Sequence, residues 1–182
     1  MQYILLGLVL LIGGYFMLTF NSFVSLKNKI KAAWSDIDVQ LKKRHDLVPK
    51  LVDIVKGYTK HETSTLEKVT EMRTRAMNSV SVADKSQKES MLSGALKSIF
   101  AVAENYPDLK ANQNFLELQK EIAKVEDDIQ MARRYYNGSV KQFNTKIQTF
   151  PNLFIAQILG YKQENFFELE NDNERKVVDV KF

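Results

Sequence analysis

From Tyr3 to Val24 the chain runs 22 residues without a charge, and most of those positions are apolar. As a helix, at about 1.5 Å per residue, the stretch is roughly 33 Å long, enough to cross a hydrocarbon core of about 30 Å. Beyond it, polar residues enter at helical spacing. Ile30, Trp34, Ile37, Leu41, Arg44, Val48, Leu51, Val55 and Tyr58 step by four and three in alternation, a heptad seam broken only by Arg44. Lys56, Gly57 and Tyr58 read as a helix end, and Thr59 with Glu62 has the spacing of a capping box. Val69, Met72 and Ala76 nevertheless keep the phase of the same seam, so the pattern is compatible with a helix continuing past Gly57. The cost of an interior glycine, about 1 kcal/mol, favours a turn there. A second helix is predicted over residues 60–80 and a third over 84–106, with Leu92, Ala95, Ile99 and Val102 inward and Pro107 as its stop. Asp108 is placed to cap a fourth helix over residues 109–150. Its seam is Phe115, Leu118, Ile122, Val125, Ile129, Ala132, Tyr136, Val140, Phe143, Ile147 and Phe150, and Pro151 closes it.

Short links force neighbouring helices to run in opposite directions. The expected fold is therefore all-α, an N-terminal transmembrane helix followed by an antiparallel up-down-up-down four-helix bundle with long helices. Its parts are a transmembrane anchor over residues 1–25, a bundle over 26–160 and an extended, mobile tail over 161–182, where charges of both signs alternate without a steady period. A buried core helix as uniformly apolar as Tyr3 to Val24 would need a partner layer on every side, more than a chain of 182 residues supplies. A cleaved secretory signal would need a basic start and a small-residue cleavage site, and neither is present. Lys27, Lys29 and Lys31 follow the anchor directly and suit lipid headgroups, at about 1 kcal/mol each. By the positive-inside tendency they put the bundle on the cytoplasmic side of the membrane, with a single pass. The fourth helix returns to that membrane. Phe150, Phe154, Ile155 and Ile158 then either touch the lipid surface or cover the open end of the bundle.

Composition narrows the chemistry. There is no cysteine, which excludes disulfide staples, thiolate metal sites and a Cys nucleophile. Ser25 to Phe182 holds only four glycines and three prolines, too few for a turn-rich β fold. The two histidines, His45 and His61, belong to no metal-binding spacing, and no phosphate loop, nucleophile elbow or nucleotide fingerprint occurs. Neither an enzymatic activity nor a cofactor is expected. Residues 27–60 carry nine Lys/Arg against four Asp/Glu, a balance that suits nucleic acid or acidic lipid. The aromatics needed for base stacking, Trp34 and Tyr58, lie on the apolar seam instead, which argues against nucleic acid. Arg44 falls where the seam would bury it. Either it meets a carboxylate, with Glu104, Glu126 and Asp127 as candidates, or it snorkels to the edge.

The segments AWSDIDVQLKKRHDLVPKLVDIVKGYTKHE (Ala33 to Glu62) and ENYPDLKANQNFLELQKEIAKVEDDIQMARRYYN (Glu104 to Asn137), with the Phe150–Pro151 pair and the FFE run at Phe166 to Glu168, closely resemble the bacterial LemA family. The resemblance covers nearly the whole chain. It implies a membrane-anchored antiparallel helical bundle with no established enzymatic activity. A magnetosome-membrane branch is related to that family, and some members are encoded beside membrane metalloproteases. Such a protease is accordingly one candidate protein partner, alongside the lipid contacted by residues 1–25, and an oligomer is left open. The expected function is a non-enzymatic scaffold or adaptor. Its contact surface would be the basic face at Lys42, Lys43, Arg44 and His45 or the loop with Tyr106, Asp108 and Asn112, unless these are only solvated faces and helix caps. The competing expectation is a membrane-organising protein whose apolar cluster near Phe150 engages lipid.

Overall fold

One helix, α1 (Gln2–Tyr58), carries both the apolar N-terminal stretch and the first seam without interruption. The computed structural model describes residues 1–59 and 61–167, and no strand occurs among them. The remaining elements are α2 (Thr63–Met77), α3 (Val82–Ala103), the single turn α4 (Pro107–Lys110), α5 (Gln113–Gln148) and the short α6 (Asn152–Ile158). Residues 1–39 with 129–166 form one unit, and residues 40–128 with Phe167 another, so α1 and α5 contribute to both. With 15 and 22 residues, α2 and α3 are shorter than α1 and α5, and the first unit is built without them.

In the second unit the heptad arithmetic holds well. Leu41, Val48, Leu51 and Val55 of α1, Leu66, Val69, Met72 and Ala76 of α2, Leu92, Ala95 and Ile99 of α3 and Phe115, Leu118, Ile122 and Val125 of α5 are all buried. The helix ends differ in detail from the expected ones. The first helix does end at Tyr58, but no capping box follows: the Thr59 hydroxyl donates to the Val55 carbonyl (3.0 Å), and α2 starts after Glu62 with no side-chain cap. Helix α3 begins earlier than expected, because Ser81 is its cap and accepts from the Asp84 amide (3.2 Å). The Asp84 carboxylate reaches back to the Val80 amide (3.1 Å) and takes Lys88 as an ion-pair partner (2.8 Å). Its bond with Lys88, and next the Val80 amide, hold that carboxyl below its ordinary range. Pro107 does more than stop the third helix: it opens α4 at a first-turn position, where a missing amide costs nothing. The long fourth helix therefore begins at Gln113, capped by Asn112 on the Phe115 amide (3.0 Å), and Asp108 is an exposed residue of α4 rather than the cap.

Pro49 sits inside α1. Its missing N–H leaves the His45 carbonyl, four residues earlier, without a helical partner. The guanidinium of Arg73 on α2 fills the vacancy, donating from Nε to that carbonyl at 2.7 Å.

The first unit pairs α1 with α5 in opposite order along the two helices. Trp34 stacks edge-on with Tyr136 (5.3 Å between centroids), Lys29 donates to Gln142 (3.0 Å), Phe23 meets Phe143 (6.5 Å) and Lys146 donates to Ser22. Helix α5 stops at Gln148, two residues short of the expected end, because the residue before a proline is disfavoured in helical geometry. Phe150 thereby leaves the seam and is exposed. The Phe150–Pro151 bond is cis, and α6 follows. Gly160, at φ +70°, ends α6: the Gly160 amide bonds the Gln157 carbonyl (3.1 Å) and the Tyr161 amide the Ala156 carbonyl (2.9 Å). That turn sends the Tyr161 ring into contact with Phe23 (5.2 Å) and Phe143 (5.9 Å). Residues 161–166 then run back without regular secondary structure, tied to α5. Asn144 donates to the Glu164 carbonyl and accepts from its amide (2.9 Å each), and the Tyr136 hydroxyl donates to the Asn165 carbonyl (2.9 Å). The rest of the expected tail, residues 168–182, lies outside the described residues.

Candidate functional site

The heptad step that puts Arg44 on the inner face of α1 also fixes its partners. Its side chain is fully buried, and one guanidinium nitrogen is ion-paired with Glu89 of α3 while the other bonds Glu126 of α5 (2.6 Å) and the Ser93 hydroxyl (2.7 Å). His45 approaches the second Glu89 oxygen through Nε2 (3.0 Å). Of the three candidate partners, Glu126 is used. Glu104 instead pairs with Lys110, and Asp127 is exposed. Glu89, which the sequence reading overlooked, is the principal partner. It lies three residues before Leu92 and seven before Leu96, so extending the inner face of α3 toward its start would have found it. Burial pushes the Glu89 carboxyl up, but His45 and then Arg44 pull it down further, and it ends below its ordinary range. A cluster of this kind is costly to bury and unfavourable to mis-pair.

The basic stretch consequently divides. Lys42 and Lys43 are exposed, whereas Arg44 and His45 point into their own unit, where neither presents a charge to a partner. In the connecting segment, Asp108 is exposed and Tyr106 and Asn112 are half-buried. The Tyr106 hydroxyl lies 3.5 Å from a Glu62 oxygen, and the Asn112 amide donates to the Tyr58 hydroxyl (2.8 Å). An open groove between α1 and α2 is lined by Val52, Lys56, Thr59, Leu66 and Thr70. Its Thr59 and Thr70 hydroxyls bond the Val55 and Leu66 carbonyls of their own chain, so they do not converge on a ligand. Among the described residues, no group of three or more His, Asp and Glu side chains is placed to hold a metal ion.

In the other unit, the residues expected at lipid sort by exposure. Residues 1–18 are exposed, so the apolar stretch is not a core helix; α1 is long and apolar enough to cross a membrane. Lys27 pairs with Glu164 (3.1 Å) and lies over the Tyr161 ring (5.7 Å); Lys29 lies over Tyr135 (5.5 Å), and Lys31 is exposed. Phe150, Phe154 and Ile158 are exposed while Ile155 turns inward, which removes Ile155 from the outer surface. Asn152 touches the apolar stretch itself, accepting from the Tyr15 hydroxyl at 2.6 Å.

Comparison with known proteins points to one group by sequence. The model of the LemA family matches residues 33–182. The chain is similar to Protein LemA of Metamycoplasma hominis, with 35% identity over 165 residues that cover 88% of this chain and 73% of that protein. More distantly, it is similar to magnetosome protein MamQ 2 of Paramagnetospirillum magneticum, at 21% identity over 84% of this chain. MamQ of Magnetospirillum gryphiswaldense is also 21% identical, over 83% of this chain. The alignments span 65% of the length of each magnetosome relative. The match to the family model over most of the chain, together with the LemA relative, places this protein in the LemA family.

Proposed function

We infer that this chain is a single-pass, non-enzymatic helical scaffold or adaptor at the bacterial inner membrane. Its helices are arranged as an antiparallel up-down-up-down bundle on the cytoplasmic side, presenting a surface to protein partners. The observation that carries this reading is the division of labour within α1: residues 1–18 are bare and apolar, and from Ile30 onward the same helix is packed through its seam. The buried charges support it further, since Arg44, His45, Glu89 and Glu126 face one another rather than a substrate cleft. Lys42, Lys43 and Asp108 are the exposed members of the expected contact surface. A membrane protease of the kind encoded beside some family members suits such an adaptor. Site-specific photo-crosslinkers at Lys42, Lys43 and Asp108, compared with one at exposed Lys124, test the reading in native membranes. One discrete adduct from the first set and none from Lys124 is expected; no adduct, or the same adducts from all four, contradicts it.

A second reading, a membrane-organising role, is favoured by the exposure of Phe150, Phe154 and Ile158 and by the likeness to proteins named for the magnetosome. Here the apolar end of the fold would mark or shape the bilayer. Enrichment of the chain at curved over flat membrane of one composition supports that role; uniform distribution contradicts it.

A further inference from the structure

The bare part of the anchor is too short for the bilayer it should cross. Tyr3 to Leu18 are exposed, Tyr15 and Phe16 least so (38% and 39%), and on one face Thr19 and Phe23 are already covered by the rest of their unit. Sixteen bare residues reach about 24 Å, against a hydrocarbon core of about 30 Å. The first charge does not come until Lys27. The core of the bilayer must therefore extend over helix that already has protein beside it.

That protein is α6. Asn152 takes hydrogen bonds from the Tyr15 hydroxyl (2.6 Å) and from Thr19 (3.5 Å), both inside the uncharged stretch, so α6 starts at the depth of the anchor's last turns. Two further features fit it for that depth. No Asp, Glu, Lys or Arg occurs between Lys146 and Lys162. Its ends are also closed within the chain: the Leu153 amide bonds the Thr149 carbonyl (2.9 Å), and the Gly160 turn satisfies the Gln157 and Ala156 carbonyls, as a low-dielectric surrounding requires. Phe154 and Ile158 on its outer side are 56% and 76% exposed, and Phe150 just before it, its ring against Phe154 (6.0 Å between centroids), is 76% exposed, while Ile155 and Ala156 face inward.

We propose that α6 is a second membrane element, a short helix lying in the headgroup–acyl boundary of one leaflet against the anchor, with Phe150, Phe154 and Ile158 in the acyl chains. Lipid is the occupant because this apolar face adjoins the helix that faces lipid. The proposal rests on the reading of α1 as a membrane anchor. Beyond the end of α6, Lys27 lies over the Tyr161 ring and pairs with Glu164, and marks where the protein returns to headgroups and water.

The chain contains no cysteine, so single introduced thiols report position cleanly. Full-length protein carrying Leu8→Cys, Phe154→Cys, Ile158→Cys or Lys141→Cys, each labelled with an environment-sensitive fluorophore, is reconstituted into phosphatidylcholine–phosphatidylglycerol vesicles. Lipids spin-labelled near the headgroup or near the chain terminus serve as quenchers, with aqueous iodide as the opposing probe. The expected result is loss of emission at positions 154 and 158 with the shallow lipid label, at position 8 with the deep label, and at position 141 with iodide alone. If position 8 is quenched by lipid while 154 and 158 respond to iodide, the anchor stands and the proposal falls. If 154 and 158 are shielded from both quenchers, a protein surface covers α6 and the proposal also falls. If position 8 is not quenched by lipid, both the anchor and the proposal fail.

Discussion

Arg73 of α2 donates to the His45 carbonyl of α1, the one helical acceptor that Pro49 leaves without an amide. The relationship is a compensated defect: a proline that would weaken an isolated helix becomes a docking point for its neighbour. Replacing Arg73 by Met should destabilise the protein by about 1.5 kcal/mol, the range for a charge-assisted hydrogen bond. In a Pro49→Ala background the backbone amide at 49 satisfies the carbonyl itself, and the same Arg73→Met change should cost well under half as much. Denaturant unfolding of the four proteins of this cycle, followed by helical circular dichroism, measures the coupling.

Arg44 and Glu89 are each fully buried, so removing one strands the other. Arg44→Met should cost about 3–5 kcal/mol. Adding Glu89→Leu should recover most of that loss, because an apolar pair needs no compensating charge, and Glu126, whose side chain is 29% exposed, can turn to water. Thermal unfolding of the single and double variants provides the comparison.

The same carboxyl sets an acid limb. Although burial opposes it, His45 and Arg44 hold Glu89 below its ordinary value of 4.5, so between its folded and unfolded values the unfolded chain binds more protons. Its contribution is therefore fully present above pH 4.5 and is lost as pH falls through the lower, folded value. The unfolding midpoint should drop with acidification below pH 4.5 in the native chain. In Glu89→Gln, already less stable at neutral pH, that limb should be shallower.

Asn144 holds both polar groups of the Glu164 main chain, and Gly160 makes the turn that delivers residue 164 there. Asn144→Ala should cost about 2 kcal/mol and speed hydrogen exchange at the Glu164 amide. Gly160→Ala should cost about 1 kcal/mol through its positive φ alone, since no atom lies within 4 Å of the added methyl. Exchange measured by mass spectrometry, confined to peptides from residues 159–167, distinguishes these local effects from global loosening.

Much of this was legible in the sequence, because heptad spacing reports which face of a helix is buried. Val48, Leu51, Val125 and Phe143 all occupy the positions the step assigned. Arg44 was visible as a charge in an apolar seam, and its pairing follows from the cost of burying it alone. Glu89 escaped notice because α3 is populated with Ser, Lys and Gln around it, and its seam declares itself only from Leu92 onward. Helix ends were less legible. Several side chains compete for each terminus, and the winners, Ser81 over Asp84 and Asn112 over Asp108, depend on where the preceding chain arrives. The compensation between Pro49 and Arg73 joins residues 24 positions apart, which no local pattern encodes.

The central claim is that the apolar start of α1 remains in the membrane as part of the working protein. Alkaline extraction of native membranes, followed by intact-mass measurement of the retained chain, tests it most directly. The account predicts a membrane-retained polypeptide whose mass includes residues 1–25. A soluble polypeptide lacking those residues would contradict it.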